Sequence, residues 1–332
     1  MRGGGGTPQA ASVCNGTVAV HLALAALGIG RGDEVIVPTF TYIASVNPIT
    51  YLGAVPVFVD SLPDTWQMNP REVESKITGK TRAIIAVHIY GHPCDMRSIT
   101  ETARKHGLFL VEDCAEAIGS RCMEKSVGCF GDVAAFSFFA NKTVTCGEGG
   151  MVVARDSVLF ERLVRMKGQG LASGREYWHD IIGFNYRMTN VAAAIGFAQM
   201  ERIDGFVEKK SEIARWYIDG LEGSRFVFHK QTDGVRHSYW MCSMLAESRE
   251  MRDAVREHLK LNGIETRPMF PPVHTMPMYG PRSMSFPVAE DLAARGFNVP
   301  SYPDLNRDDL GFICEKIREA ERKTHSRRRS YH

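Results

Sequence analysis

The chain of 332 residues has no strong excess of either charge. Forty Lys and Arg against 38 Asp and Glu leave a formal net charge of +2, so no global field points to nucleic acid. Its one basic run, RKTHSRRRSYH at 322–332, reads as a solvated tail. No apolar run approaches the ~18–20 residues of a membrane span. No basic segment followed by an apolar one marks a secretory leader. The eight cysteines, at 14, 94, 114, 122, 129, 146, 242 and 314, form no CxxC pair and no metal-ligand spacing. Free thiols in a reducing compartment follow. These absences lead to an expectation of a cytoplasmic protein with no metal, no membrane and no nucleic-acid partner. Internal repeats are also missing.

What is present is ordinary core-forming material, 44% hydrophobic with 23% charged residues, and a length that suits one large domain plus a smaller one. A glycine-rich start, MRGGGGTPQ at 1–9, carries no pattern and is expected to be disordered. From 10 to 205 helix-like and strand-like segments alternate. EVIVP (34–38), VPVFVD (55–60), RAIIAVH (82–88) and LFLVED (108–113) are short apolar runs bounded by Gly, Pro or charge, as buried strands are. Helix-sized stretches at 17–28, 41–53, 69–78 and 95–107 lie between them, the last with Gly107 placed to end it. This alternation predicts an α/β domain with a mostly parallel central sheet and helices on both faces, and ligands then bind at the carboxyl ends of the strands. A long helical region over 189–222 leads into a smaller α+β domain, 206–332, with strands near 225–229 and 238–245 and helices at 251–263 and 308–322.

Several motifs fall on that ligand-binding edge. NGT (15–17) precedes the first helix, where unpaired N–H groups favour phosphate, although capping alone is the commoner reason for such residues. GIGRGDE (28–34) follows a helix and precedes a strand, the wrong order for a dinucleotide fingerprint. Asp113 ends a strand in VEDCAEA, where a carboxylate must meet a cation or several donors. It could equally cap the next helix. Tyr42 in FTY stands beyond another strand end, where a ring could cover a flat cofactor or simply join the core. In FSFFANKTVTCGEGG (136–150), Ser137 offers a hydroxyl and Lys142 an amine. A lysine acts as a nucleophile only when desolvated or held near other cations. The glycines at 147, 149 and 150 let the backbone pass close to a ligand.

The order of these signals, with NGTVAVHLALAALGIGRGDEVIVPTFTYIASVN, VEDCAEAIGS, GCFGDVAAFSFFANKTVTCGEGGMVV and GFNYRMTNVAAAIGFAQMERID, resembles the DegT/DnrJ/EryC1/StrS nucleotide-sugar aminotransferases over about residues 10 to 320. The resemblance implies a fold-type-I transferase dependent on pyridoxal 5′-phosphate. YGHPCDM, GIETRPMFPPVH and FPVAEDLAARGFNVPSYPDL are similar to the perosamine synthase branch, whose members aminate C4 of GDP-4-keto-6-deoxymannose with glutamate. Related enzymes aminate C3 or C4 of other sugar nucleotides. By the same resemblance Lys142 matches the lysine that bonds the cofactor, and Asp113 the partner of its pyridine nitrogen. Glu116 stands beside the ring oxygen, Tyr42 stacks on the ring, and Gly16, Thr17 and Ser137 contact the phosphate. Asn185 matches an asparagine that reaches the neighbouring subunit's cofactor, which implies a homodimer with shared active sites. Arg267 and His274 match a loop that faces substrate. Similar enzymes that dehydrate sugars replace the lysine with histidine, so Lys142 favours amination. Relatives carry a few tens of residues before NGT where this chain has MRGGGGTPQ. The expectation is that part of the substrate pocket is missing, which would leave room for a silent binding or regulatory protein.

Overall fold

The computed structural model describes residues 7–230, 232–280 and 284–329. The first half alternates strand and helix: β1 (Gln9–Val13), α1 (Gly16–Ala26), β2 (Glu34–Pro38), α2 (Asn47–Tyr51), β3 (Val55–Val59), α3 (Pro70–Ser75), β4 (Thr81–Val87), α4 (Met96–His106) and β5 (Phe109–Asp113). A small ribbon, β6 (Arg121–Cys122) and β7 (Lys125–Ser126), comes before β8 (Val133–Ser137), β9 (Gly150–Ala154) and α5 (Ser157–Lys167). Helices α6 (Asn190–Met200) and α7 (Ile203–Gly220) lead into β10 (Val227–Phe228), β11 (Val235–Arg236), β12 (Cys242–Leu245), α8 (Arg249–Leu261), β13 (Arg267–Pro268), α9 (Pro287–Arg295), β14 (Gly296–Val299) and α10 (Arg307–Arg329).

Seven strands form the central sheet in the order β1–β9–β8–β5–β4–β2–β3. Neighbours from β8 through β3 run parallel, and β9 alone is reversed, pairing antiparallel with both β8 and β1. The apolar runs are continuous because both faces are covered. Val35, Val37, Ala83 and Ile85 pack with α1 on one side, while Ile36 and Ile84 pack with Val73 of α3 and Ile99 of α4 on the other. Asn15 caps α1 by accepting the Val18 N–H at 3.0 Å. Gly107 ends α4 at φ 66°, the left-handed conformation that a Cβ would oppose. A second, four-stranded antiparallel sheet, β10–β12–β14–β13, packs on α7, α8 and α10 through Ile213, Tyr217, Val255, Leu259, Phe297 and Ile317.

Some boundaries differ from the sequence reading. The start expected to be disordered over 1–9 already contains Gln9 in β1, held by its ladder to Ala154; residues 1–6 lie outside the described residues. The helical region 189–222 is two helices, broken where Arg202 leaves helical geometry at φ −108°, ψ 4°. The segment 41–53 holds a tight turn at Ile43–Ser45 and the short α2 instead of one helix. The basic run from 322 continues α10 to Arg329 rather than forming a frayed tail. All eight cysteines are free thiols, and among the described residues no helix is long and apolar enough to cross a membrane.

Candidate active site

The parallel strands end together, and a cavity of about 340 Å³ opens at that edge. Seven residues singled out from the sequence line it: Gly16, Thr17, Tyr42, Asp113, Glu116, Ser137 and Lys142. They arrive from four places: the start of α1, the segment after β2, the end of β5 with its following turn, and the β8–β9 loop.

The start of α1 is seated directly on the sheet. A Cβ on Gly16 would stand 2.6 Å from the Ser137 Cβ, and one on Gly150 would stand 2.5 Å from the Asn15 carbonyl oxygen. Only glycine permits these approaches. They bring the unpaired N–H groups of the first helical turn alongside the hydroxyls of Thr17 and Ser137. Such a corner attracts a phosphate through both hydrogen bonding and the helix dipole.

Asp113 is the last residue of β5 and is buried. One of its oxygens accepts the Ser45 hydroxyl at 2.7 Å, and the other accepts the Ala115 N–H at 3.0 Å. Ser45 also meets Thr41 at 3.0 Å. The carboxylate is therefore braced from behind, and it lines the cavity. Tyr42 stands at the mouth, 53% exposed, with its ring centroid 5.4 Å from that of Phe270. A half-exposed aromatic ring here offers one face to a flat ligand.

Lys142 lies on the loop between β8 and β9, whose ends are tied by the Phe138 N–H to Gly149 oxygen bond at 2.8 Å. Its Nζ is 3.7 Å from Glu116 Oε1 and 3.7 Å from the ring centroid of Trp240. Glu116 is fixed by the Tyr90 N–H at 2.7 Å. Burial dominates both charges. It pulls the Lys142 ammonium below the usual lysine range, against the opposing pull of Glu116 and Asp113. It pushes the Glu116 carboxyl up to about 7, against the opposing pull of Lys142. A desolvated amine of this kind is available as a nucleophile and as a proton carrier.

The other three candidates lie outside this cavity. Asn185 is exposed, with its backbone bridged to Gly168. Arg267 is exposed, paired with Glu265 at 2.5 Å, and lines an adjoining cleft of about 760 Å³ that shares Asn141, Lys142 and Trp240 with the cavity. His274 is buried, bonded to the Thr39 hydroxyl at 2.7 Å and placed 3.3 Å from Glu290. Its ring ties the small-domain loop to the end of β2. Among the cavity residues that carried no sequence signal are Ser45, Trp240 and Phe270.

Among the described residues, His88, Glu112 and Cys114 cluster closely enough for a metal. Their atoms are otherwise engaged. His88 Nδ1 accepts the Cys94 N–H at 3.1 Å, so Nε2 carries the proton and donates to Glu112 at 3.2 Å. Glu112 also accepts the N–H groups of Gly128, Phe130 and Gly131. Burial alone would raise this carboxyl, yet the His88 and backbone donors hold it below its usual range. The cluster pins the loop between β7 and β8.

Comparison with known proteins agrees with this geometry. The model of the DegT/DnrJ/EryC1/StrS aminotransferase family matches residues 5–318. The GDP-perosamine synthase of Escherichia coli O157:H7 is 57% identical over 93% of this chain and 85% of its own. The GDP-perosamine synthase of Vibrio cholerae is 49% identical over 93% of this chain and 86% of its own. Among solved structures, S. venezuelae DesV in complex with a ketimine intermediate superposes with a TM-score of 0.89 at 38% identity, covering 94% of this chain and 85% of that one. Matched by the family model over most of its length and carrying a lysine at the strand-end cavity, the chain belongs to the DegT/DnrJ/EryC1/StrS aminotransferase family.

Proposed function

We propose that the protein uses pyridoxal 5′-phosphate to move an amino group from glutamate to a keto-sugar nucleotide, with C4 of GDP-4-keto-6-deoxymannose as the acceptor position. The observation that carries this reading is the placement of Lys142. It is an amine whose side chain is only 11% exposed, at the strand-end cavity that also contains Asp113, Tyr42 and the first turn of α1. The perosamine synthases among its relatives supply the choice of acceptor.

The residues present fit the cofactor. Gly16 leaves the helix start open for a phosphate that Thr17 and Ser137 can also bond, and the braced Asp113 carboxylate can hold a proton on a pyridine nitrogen. When bound, the cofactor supplies an electron sink that makes a Cα–H bond of the substrate acidic. The chain supplies the rest. Lys142 gives the covalent attachment and, once released, carries a proton between carbon atoms as general base and acid. Glu116 lies beside it as a neighbouring acid–base group. Tyr42 and Phe270 cover one wall and exclude water. Lysine at this position favours amination over dehydration.

Helix α6 supports a homodimer with shared active sites. Its sequence NVAAAIGFAQM is apolar on every side, yet none of its residues is buried. Val191 and Phe197 are 73% and 69% exposed. A helix apolar all round belongs inside a larger structure, and a second copy of this chain is the natural cover. Asn185 precedes α6 by five residues and would face the neighbour's cavity.

Purified protein mixed with pyridoxal phosphate should gain the visible absorbance of a lysine-bound cofactor, and Lys142→Ala should lose it together with roughly 10²–10⁴-fold in rate. Glutamate with a panel of 3-keto and 4-keto sugar nucleotides, read by mass and NMR, should give amination at C4 of the GDP sugar. Absence of any aminated sugar would overturn the reading.

A further inference from the structure

Trp240 reaches the cavity from the small-domain side, and the chain is bent to put it there. The preceding Tyr239 has φ 48°, a conformation that strains a non-glycine residue and persists only where the surroundings impose it. Gly91, at φ 101°, makes room for this segment: a Cβ there would stand 3.0 Å from the Trp240 nitrogen. Ser238 and Ser120 both donate to the Gly91 carbonyl, at 3.2 and 2.6 Å. The Trp240 carbonyl accepts from the buried Lys210 ammonium at 3.1 Å, and Lys210 also donates to the Ser301 carbonyl at 2.8 Å. At the other end the indole N–H donates to the Asn141 carbonyl at 2.8 Å. Its ring face, 4% exposed overall, lies 3.7 Å from Lys142 Nζ.

We propose that Trp240 is a positioning residue for Lys142. Its indole N–H fixes the loop one residue before the lysine, and its ring face receives the lysine ammonium whenever that group is not bonded to cofactor. The inference rests on the amino-transfer reading for its consequence. A lysine that must detach and return in each turnover needs a defined resting place, and an aromatic face supplies one that favours the protonated form. Glu116 holds the same ammonium at 3.7 Å, so the resting place has a carboxylate on one side and an indole on the other.

The test uses the full chain stripped of cofactor and mixed with pyridoxal phosphate over a range of pH, following the growth of the visible band. The midpoint of that rate profile reports when the free Lys142 amine loses its proton. Trp240→Leu, which lacks the ring, should move the midpoint down by roughly 0.5–1.5 pH units, as loss of a cation–π contact requires. Trp240→Phe keeps a weaker ring and should move it less in the same direction, while lowering kcat with little change in KM for the sugar nucleotide. If Trp240→Leu does not fold by circular dichroism, the Phe variant decides the matter. An unchanged midpoint in the folded variant overturns the proposal. So does an upward one, the mark of an indole that merely excludes water. A wild-type protein that gains no visible band would instead overturn the amino-transfer reading itself. A wild-type band with unshifted variants removes only the role of Trp240.

Discussion

Glu116 and Lys142 meet at 3.7 Å, and burial disfavours the charge on each. The Glu116 carboxyl is raised to about 7 from an ordinary value of 4.5. Between those two pH values the folded chain therefore holds a proton that the unfolded chain releases. The stability this group contributes is present at low pH and is lost as pH rises through about 7. Glu116→Gln removes that dependence. The unfolding free energy of the variant, relative to wild type, should climb between pH 5 and pH 8, by an amount on the order of 1–3 kcal/mol. A pH-independent difference in scanning calorimetry would contradict it. At this scale the sequence was informative where a side chain ends an apolar run, as Asp113 and Ser137 do. It was silent where a contact joins distant segments. Ser45 reaches Asp113 across 68 positions, and Trp240 reaches Asn141 across 99. Neither pairing leaves a local pattern, because each depends on how separate elements dock.

Helix α1 and the β8 end form one unit, since the Gly16 position has no space for a side chain. Gly16→Ala should cost about 1–3 kcal/mol as an overpacked contact and should weaken pyridoxal phosphate binding roughly tenfold, seen by titrating the visible band. Helix α6 makes a different prediction. Phe197→Asp places a charge on its exposed apolar surface and should turn a dimer into a monomer by light scattering, with folding unchanged by circular dichroism. Activity should fall together with the dimer. Persistence of the dimer would remove α6 from the interface. The sheet strands were legible because fully buried parallel strands are short and uniformly apolar. The break between α6 and α7 was not, because neither glycine nor proline marks residues 201–202. The strand β1 escaped notice because its partner β9 lies some 140 residues later.

A buried group of histidines joins the segments around Trp66 and His92 to those around His229 and His237. The His229 ring packs on Trp66 at 3.6 Å between centroids, tilted by 40°, with His92 and His237 at 5.8 and 5.1 Å from it. Among the described residues, the Nε2 atoms of all three have no hydrogen-bond partner. Burial lowers the pKa of each, with repulsion from His88 adding to it at His92, from His237 and His92 at His229, and from His92 at His237; the Pro93 and Lys230 carbonyls and Asp64 act in the opposite sense on His92, as the Gly91 carbonyl does on His237. A depressed histidine leaves the folded state short of a proton that the unfolded chain binds below about 6.5. Stability should thus be level above pH 7 and decline as pH falls from 6.5, with a slope of up to about 1.4 kcal/mol per pH unit for each histidine. His229→Phe should reduce that slope in urea titrations at pH 5 and 6. An equal slope would exclude the cluster as its source.

The cavity wall made by Phe270, which donates its N–H to the Tyr90 hydroxyl at 3.0 Å and packs on Tyr42, also sets a clock on the ribosome. Lys142 is translated roughly 130 residues before that wall exists. At about 5–20 residues per second the lysine loop spends roughly 6–25 seconds outside the ribosome without it. A nascent chain in that interval has the lysine loop but not the full cavity wall, so, on the amino-transfer reading proposed above, cofactor capture belongs to the finished polypeptide rather than to the growing one.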